Sequence, residues 1–145
     1  MTRVVLLLLA AGALATADAP PGDSKKDLER MQGDWAADSF VIDGMQLPDD
    51  DARAFFRTVK GDAYTVARYK RVLGKGTIKL DAGKKPKAID ALAAGRDKPL
   101  LGIYELDGDR MKLCFAGPGK ERPTAFTSAA GSGQTLTVWV REKKK

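Results

Sequence analysis

The sequence predicts an all-β protein, an antiparallel up-and-down barrel of about eight strands with a short N-terminal helix. Three observations predict it. Short segments of alternating polar and apolar residues recur at regular spacing, with turn residues between them. No crossover helix separates these segments, which argues against a parallel sheet. The connections read as hairpins, and closing about eight strands on themselves removes exposed sheet edges.

The chain opens on MTRVVLLLLAAGALATADAPP. One cation, Arg3, precedes an unbroken apolar run from Val4 to Ala15, and Ala15-Thr16-Ala17 follows with an A-x-A pattern. This predicts a secretory signal peptide over residues 1–17, cleaved after Ala17. Cleavage after Ala19 would also satisfy A-x-A, but it would leave Pro20 directly behind the cut. The run is short for a bilayer span of about 20 residues. No second stretch approaches that length, so no membrane span is expected after signal removal. The expected location is therefore exported, periplasmic or extracellular. The mature part reads as one domain. Residues 18–27 form a flexible lead-in and helix start, 28–141 the barrel domain, and 142–145 a basic tail.

"SKKDLERMQG" reads as the helix, with Ser24 as cap and Asp27 completing a weak capping box. Leu28 and Met31 give it one apolar stripe, suited to plugging the end of a barrel, and Gly33 ends it in the left-handed conformation. "WAADSFVIDG" is a strand that turns at Asp43-Gly44. "LPDDDARAFF" is one helical turn leading into a strand, and a hairpin follows around Lys60-Gly61-Asp62. Two more strands flank the turn from Asp81 to Pro86, and Gly95 to Lys98 is another turn. "PGKERPTAF" is a loop with a short extended piece, and "GSGQTLTVWVREK" is the last strand.

The stretch LLGIYELDGDRMKLCFAG reads as one hairpin whose register the side chains decide. With Gly108-Asp109 as the central turn residues, Leu106 opposes Met111, Tyr104 opposes Leu113 and Gly102 opposes Phe115. Tyr104, Leu106, Met111, Leu113 and Phe115 then share one large apolar face. Glu105 opposes Lys112 and Ile103 opposes Cys114 on the other. A one-residue slip would mix the faces. Gly108 suits the positive backbone angle of the first turn position.

The chain contains no histidine and one cysteine. That excludes a Ser-His-Asp triad, a Cys-His pair and most zinc sites. Cys114 lacks a base and reads as a small wall residue. Asp49, Asp50 and Asp51 lack the spaced ligands and the glycine of a calcium loop, and an acidic first helical turn explains them. Glu105 could act as a general acid in a barrel interior, but the pattern places no second carboxylate beside it. No catalytic residue, metal or cofactor is therefore expected. The formal net charge is +6, and the signal peptide takes one cation with it. No basic stretch is interleaved with aromatics, so nucleic acid is not an expected partner.

In this order, "MQGDW", "DG…LP", "KGDAYTV", "GTIKLD…KKPKAID", "LLGIYELDGDRMKLCFA", "PGKERPTAF" and "GSGQTLTVWVR" resemble a lipocalin-like domain of unknown function expanded among planctomycete bacteria. The resemblance runs from about Leu28 to Arg141. It implies a small lipocalin-like barrel and no established activity. It also implies that Trp35, in the Gly-x-Trp position after Gly33, packs against Arg141 across the barrel base, with the guanidinium within about 6 Å of the ring. Arg122-Pro123 and Phe126 match the same pattern and read as structural. The expected function is an exported, non-catalytic binding module for a small apolar ligand, lined by Tyr104, Leu106, Met111, Leu113 and Phe115. The alternative is an envelope-associated protein-protein interaction or inhibitor domain with a side-chain-filled barrel. Oligomeric state is open.

Overall fold

The computed structural model describes residues 21–143. The expected signal peptide, residues 18–20 of the lead-in, and Lys144 and Lys145 of the tail lie outside the described residues. Helix α1 (Pro21–Arg30) leads into β1 (Gly33–Ile42), and β2 (Met45–Gln46) folds back on its end. After α2 (Asp49–Ala52) the strands run β3 (Phe55–Lys60), β4 (Ala63–Arg68), β5 (Arg71–Asp81), β6 (Ala88–Ala93), β7 (Leu100–Asp107), β8 (Arg110–Phe115) and β9 (Thr135–Arg141). Every sheet pairing is antiparallel, each of β3 to β9 pairs with its neighbour in sequence, and β1 bonds to both β3 and β9. The result is a closed barrel of eight strands with β2 as an extra strand at one rim.

Antiparallel alternation fixes the two ends. Gly33, the β3–β4, β5–β6 and β7–β8 turns and the end of β9 lie at the base, beside α1. The segments joining β2 to β3, β4 to β5, β6 to β7 and β8 to β9 lie at the mouth. The β7–β8 register pairs Leu106 with Met111, Tyr104 with Leu113, Gly102 with Phe115, Glu105 with Lys112 and Ile103 with Cys114, as the side-chain pattern predicts. Gly108 has a φ of 57°.

Two local irregularities re-aim side chains. The β1–β9 register shifts between Ala37 and Ser39, leaving Asp38 as an extra residue. Trp35 and Ala37 point inward before this bulge and Phe40 after it, where Phe40 stacks on Phe55 at 4.5 Å. A second shift between Val66 and Ala67 leaves Leu73 unpaired on β5.

The N-terminal helix differs from the expectation. Pro21 to Asp23 are already helical, not a flexible lead-in. Ser24 sits within the helix rather than capping it, and its hydroxyl accepts a bond from the Ala82 amide at 3.0 Å. Asp27 makes no capping box, because its carboxylate is buried against the barrel. The strand of LPDDDARAFF and its helical turn fall where predicted. Residues 117–134 hold no strand, so the extended piece expected there is loop.

Candidate functional site

The base of the barrel is sealed by polar and aromatic contacts. The Trp35 indole donates to the Met31 carbonyl at 2.9 Å. The Arg141 guanidinium lies 4.3 Å from the centroid of the Trp35 ring, donates to the Gln32 carbonyl at 2.5 Å and to the Arg30 carbonyl, and pairs with Asp109 at 3.3 Å. Gly33, at φ 108°, leaves room for this cation, since a Cβ there would stand 3.2 Å from Arg141 Nη1. Beside it, Asp27 accepts from the Tyr104 hydroxyl at 2.7 Å and pairs with Lys87 at 2.9 Å. Burial, then the Asp27 bond, pushes the Tyr104 phenol well above its ordinary range.

Above this seal the interior is packed. Trp35, Trp139, Tyr104, Met31, Ile89, Met111 and Leu113 are fully buried. Of the five residues predicted to line a ligand site, Tyr104, Met111 and Leu113 belong to this core, and Leu106 and Phe115 pack against it half-buried. The Phe115 ring covers Gly102, where a Cβ would meet it at 2.6 Å. Glu105 is exposed on the outer face, which corrects its placement as a candidate acid in the interior.

The mouth is built differently. A cavity of about 510 Å³ opens there, lined by Ala91, Ala93 and Leu100 of the inner wall, the β6–β7 turn, Pro118 and Gly119. None of the five predicted lining residues borders it. The inner face of β6 is small at this level, with Ala91 and Ala93 where the base carries Ile89. Residue-by-residue reading of the β7–β8 hairpin could not find this wall, because apart from Leu100 it belongs to β6, the β6–β7 turn and the start of the 117–134 segment. The signal was the alternating Ile89, Ala91, Ala93 series, which shrinks toward the mouth.

One interior residue was absent from the sequence reading. Arg57 shares the inner face of β3 with Phe55 and Val59, and its cross-strand partners are Trp35 and Val66. It is 5% exposed, and its guanidinium stacks on the Tyr64 ring at 4.9 Å. Its Nη2 has no hydrogen-bond partner. Burial lowers its pKa to about 10, the Tyr64 charge acting weakly the other way, so it stays cationic at neutral pH. A buried ion costs several kcal/mol, while a desolvated cation–π contact gives back about 2 kcal/mol. The deficit persists in the structure as it stands.

The outer face of β7 and β8 carries a second small core. Cys114 and Ile103 are buried under the 117–134 segment, where the thiol donates to the Thr127 carbonyl at 3.3 Å. Burial raises the thiol pKa, with the Thr127 contact opposing it. Arg122 straps this segment down, bonding the carbonyls of Gly102 at 2.8 Å and Ile89 at 3.2 Å and pairing with Asp90 at 2.6 Å. Among the described residues, no group of three or more Cys, Asp, Glu or His side chains converges to hold a metal ion. No helix among them is long and apolar enough to cross a membrane. Comparison with protein-family models, curated proteins and solved structures finds no match to this chain.

Proposed function

We propose that the protein is an exported, non-catalytic, lipocalin-like binding module that holds a small apolar ligand in the mouth half of its barrel. One observation carries this reading: the mouth cavity of about 510 Å³ has small apolar residues on its inner wall above a sealed base. Its size falls in the ~300–1,000 Å³ range of small-molecule sites. Export is supported by the N-terminal sequence, and the lipocalin-like assignment by the motif order together with the closed barrel. Titration with the neutral fluorophore N-phenyl-1-naphthylamine tests the reading. The expected result is saturable one-to-one binding that Ala93→Phe weakens about tenfold without lowering the melting temperature. Binding that ignores Ala93→Phe would place the site elsewhere, and no binding would reject it.

A second reading, an envelope-associated interaction or inhibitor domain, has a different observation in its favour. Met45, Tyr69, Val72 and Leu73 are all more than half exposed, on segments that lie at the mouth end. The ligand reading is preferred because the mouth cavity has the size of a small-molecule site, whereas these four side chains stand on two short segments that do not border it.

A further inference from the structure

Among the described residues, three of the four large apolar side chains that are more than half exposed stand within five consecutive positions. They are Tyr69, Val72 and Leu73, at the tip of the β4–β5 hairpin. Two backbone features put them there. Tyr69 opens the turn at a φ of 55°, a left-handed angle that suits glycine and is unfavourable for a bulky side chain. The turns at Gly44, Gly61 and Gly108 meet the same need with glycine. The bulge leaves Leu73 unpaired after Val72, so both are exposed where strict alternation would send one inward.

The charges around this tip are of one sign. Between Asp62 and Asp81 the chain carries Arg68, Lys70, Arg71, Lys75 and Lys79 and no carboxylate. Asp51 of α2 pairs with Arg68 at 3.7 Å, but Asp49 and Asp50 pair with none of these cations. Lys70, Arg71 and Lys75 have no ion-pair partner among the described residues. Arg68, Tyr69, Lys70, Arg71 and Leu73 border one open depression, so cations and apolar groups form a single patch. None of them borders the mouth cavity.

We propose that the β4–β5 tip docks the barrel on an anionic phospholipid bilayer. Tyr69, Val72 and Leu73 enter the head-group layer, and Lys70, Arg71 and Lys75 meet lipid phosphates. This docking does not depend on what the mouth cavity holds.

Charge complementarity argues for this occupant. Exposed apolar side chains call for an apolar phase, and the cations beside them call for an anionic boundary. The surface of an anionic bilayer provides both. Tyrosine is favoured at that boundary, and lysine and arginine lay their stems along it while their charged ends reach the phosphates. A stable protein–protein interface takes about 20–30 residues a side, far more than a hairpin tip presents. Reversible membrane attachment needs only a few inserted side chains and several cations. Tyrosine at a turn position that glycine would relax is a strain on the fold that docking explains.

Co-sedimentation of the mature protein with vesicles tests the proposal, comparing equal parts of phosphatidylglycerol and phosphatidylcholine with phosphatidylcholine alone. The expected result is binding to the anionic vesicles at least about tenfold tighter than to the neutral ones, weakened by added salt. Lys70→Gln combined with Arg71→Gln should lower that affinity roughly 25-fold, about fivefold for each cation. Tyr69→Gly should lower it several-fold while the melting temperature holds or rises, because glycine suits the turn. Leu73→Asn, at an exposed position, is a second apolar variant and should act in the same direction. Equal binding to both vesicles, binding to neither, or affinity that survives these variants overturns the proposal. So does a loss from the charge change alone, since the apolar side chains would then stay outside the bilayer. A dimer in sedimentation velocity without vesicles, dissociated by Tyr69→Gly, would assign the tip to a second copy of the chain and overturn it as well.

Discussion

Arg57 occupies a position where its charge works against the empty fold. Because burial lowers its pKa to about 10, the folded state binds this proton less well than the unfolded chain. The penalty is in full force below about pH 10 and fades as pH rises from there toward the ordinary guanidinium range. Arg57→Met is therefore expected to raise the stability of the ligand-free protein, by about 1–4 kcal/mol, measured by urea unfolding at neutral pH. A loss of stability would show that the Tyr64 contact outweighs desolvation. Cys114 shifts the other way on the pH axis. Its raised pKa means that the folded state holds the thiol proton more tightly. Its contribution is complete below the unfolded thiol pKa of about 8.5 and is lost as pH rises through the folded value. Comparing urea midpoints of the wild type and Cys114→Ala from pH 7 to pH 10 isolates this effect, with the wild type expected to lose more.

At the scale of elements, α1 is held to the barrel by side chains as much as by its apolar stripe. Met31 is buried in the core, but Asp27 ties the helix to β7 through Tyr104 and to the β5–β6 turn through Lys87. Asp27→Asn and Tyr104→Phe should each destabilise by about 1–3 kcal/mol. Their double variant should cost less than the sum, as a double-mutant cycle in urea would show; additivity would mean that the two groups do not depend on each other. The strands were largely legible in the sequence because one face of each is buried and the side-chain period is two. The β7–β8 register followed from where Tyr104, Leu106, Met111 and Leu113 must go. The bulges at Asp38 and Leu73 were not legible, since they break that period and depend on barrel curvature. Ser24 and Asp27 carry the composition of a helix start, and only the packed barrel shows that both side chains face the wall. Arg57 was hidden by its type. In Phe55-Phe56-Arg57-Thr58-Val59, alternation places it inside, but a lone cation between two core residues reads by habit as surface.

The whole molecule is a barrel with unlike ends. The base is closed by α1 and by Arg141 over Trp35, and the middle is filled by Trp139, Tyr104, Met111 and Leu113. The small inner wall and the cavity are confined to the mouth, the end at which Met45, Tyr69, Val72 and Leu73 are also exposed. The candidate site was less legible than the fold for this reason. The largest apolar row marks where a barrel is full, and the site is where residues are small. This arrangement is what the proposed reading, a module that carries a compact ligand at one end, requires. The most direct measurement of that claim is native mass spectrometry of the mature protein purified from its own cell envelope. The expected result is a chain carrying one small apolar ligand, released when the protein is denatured in organic solvent. A chain at its bare mass, or one bound to a protein partner with nothing in the barrel, would contradict it.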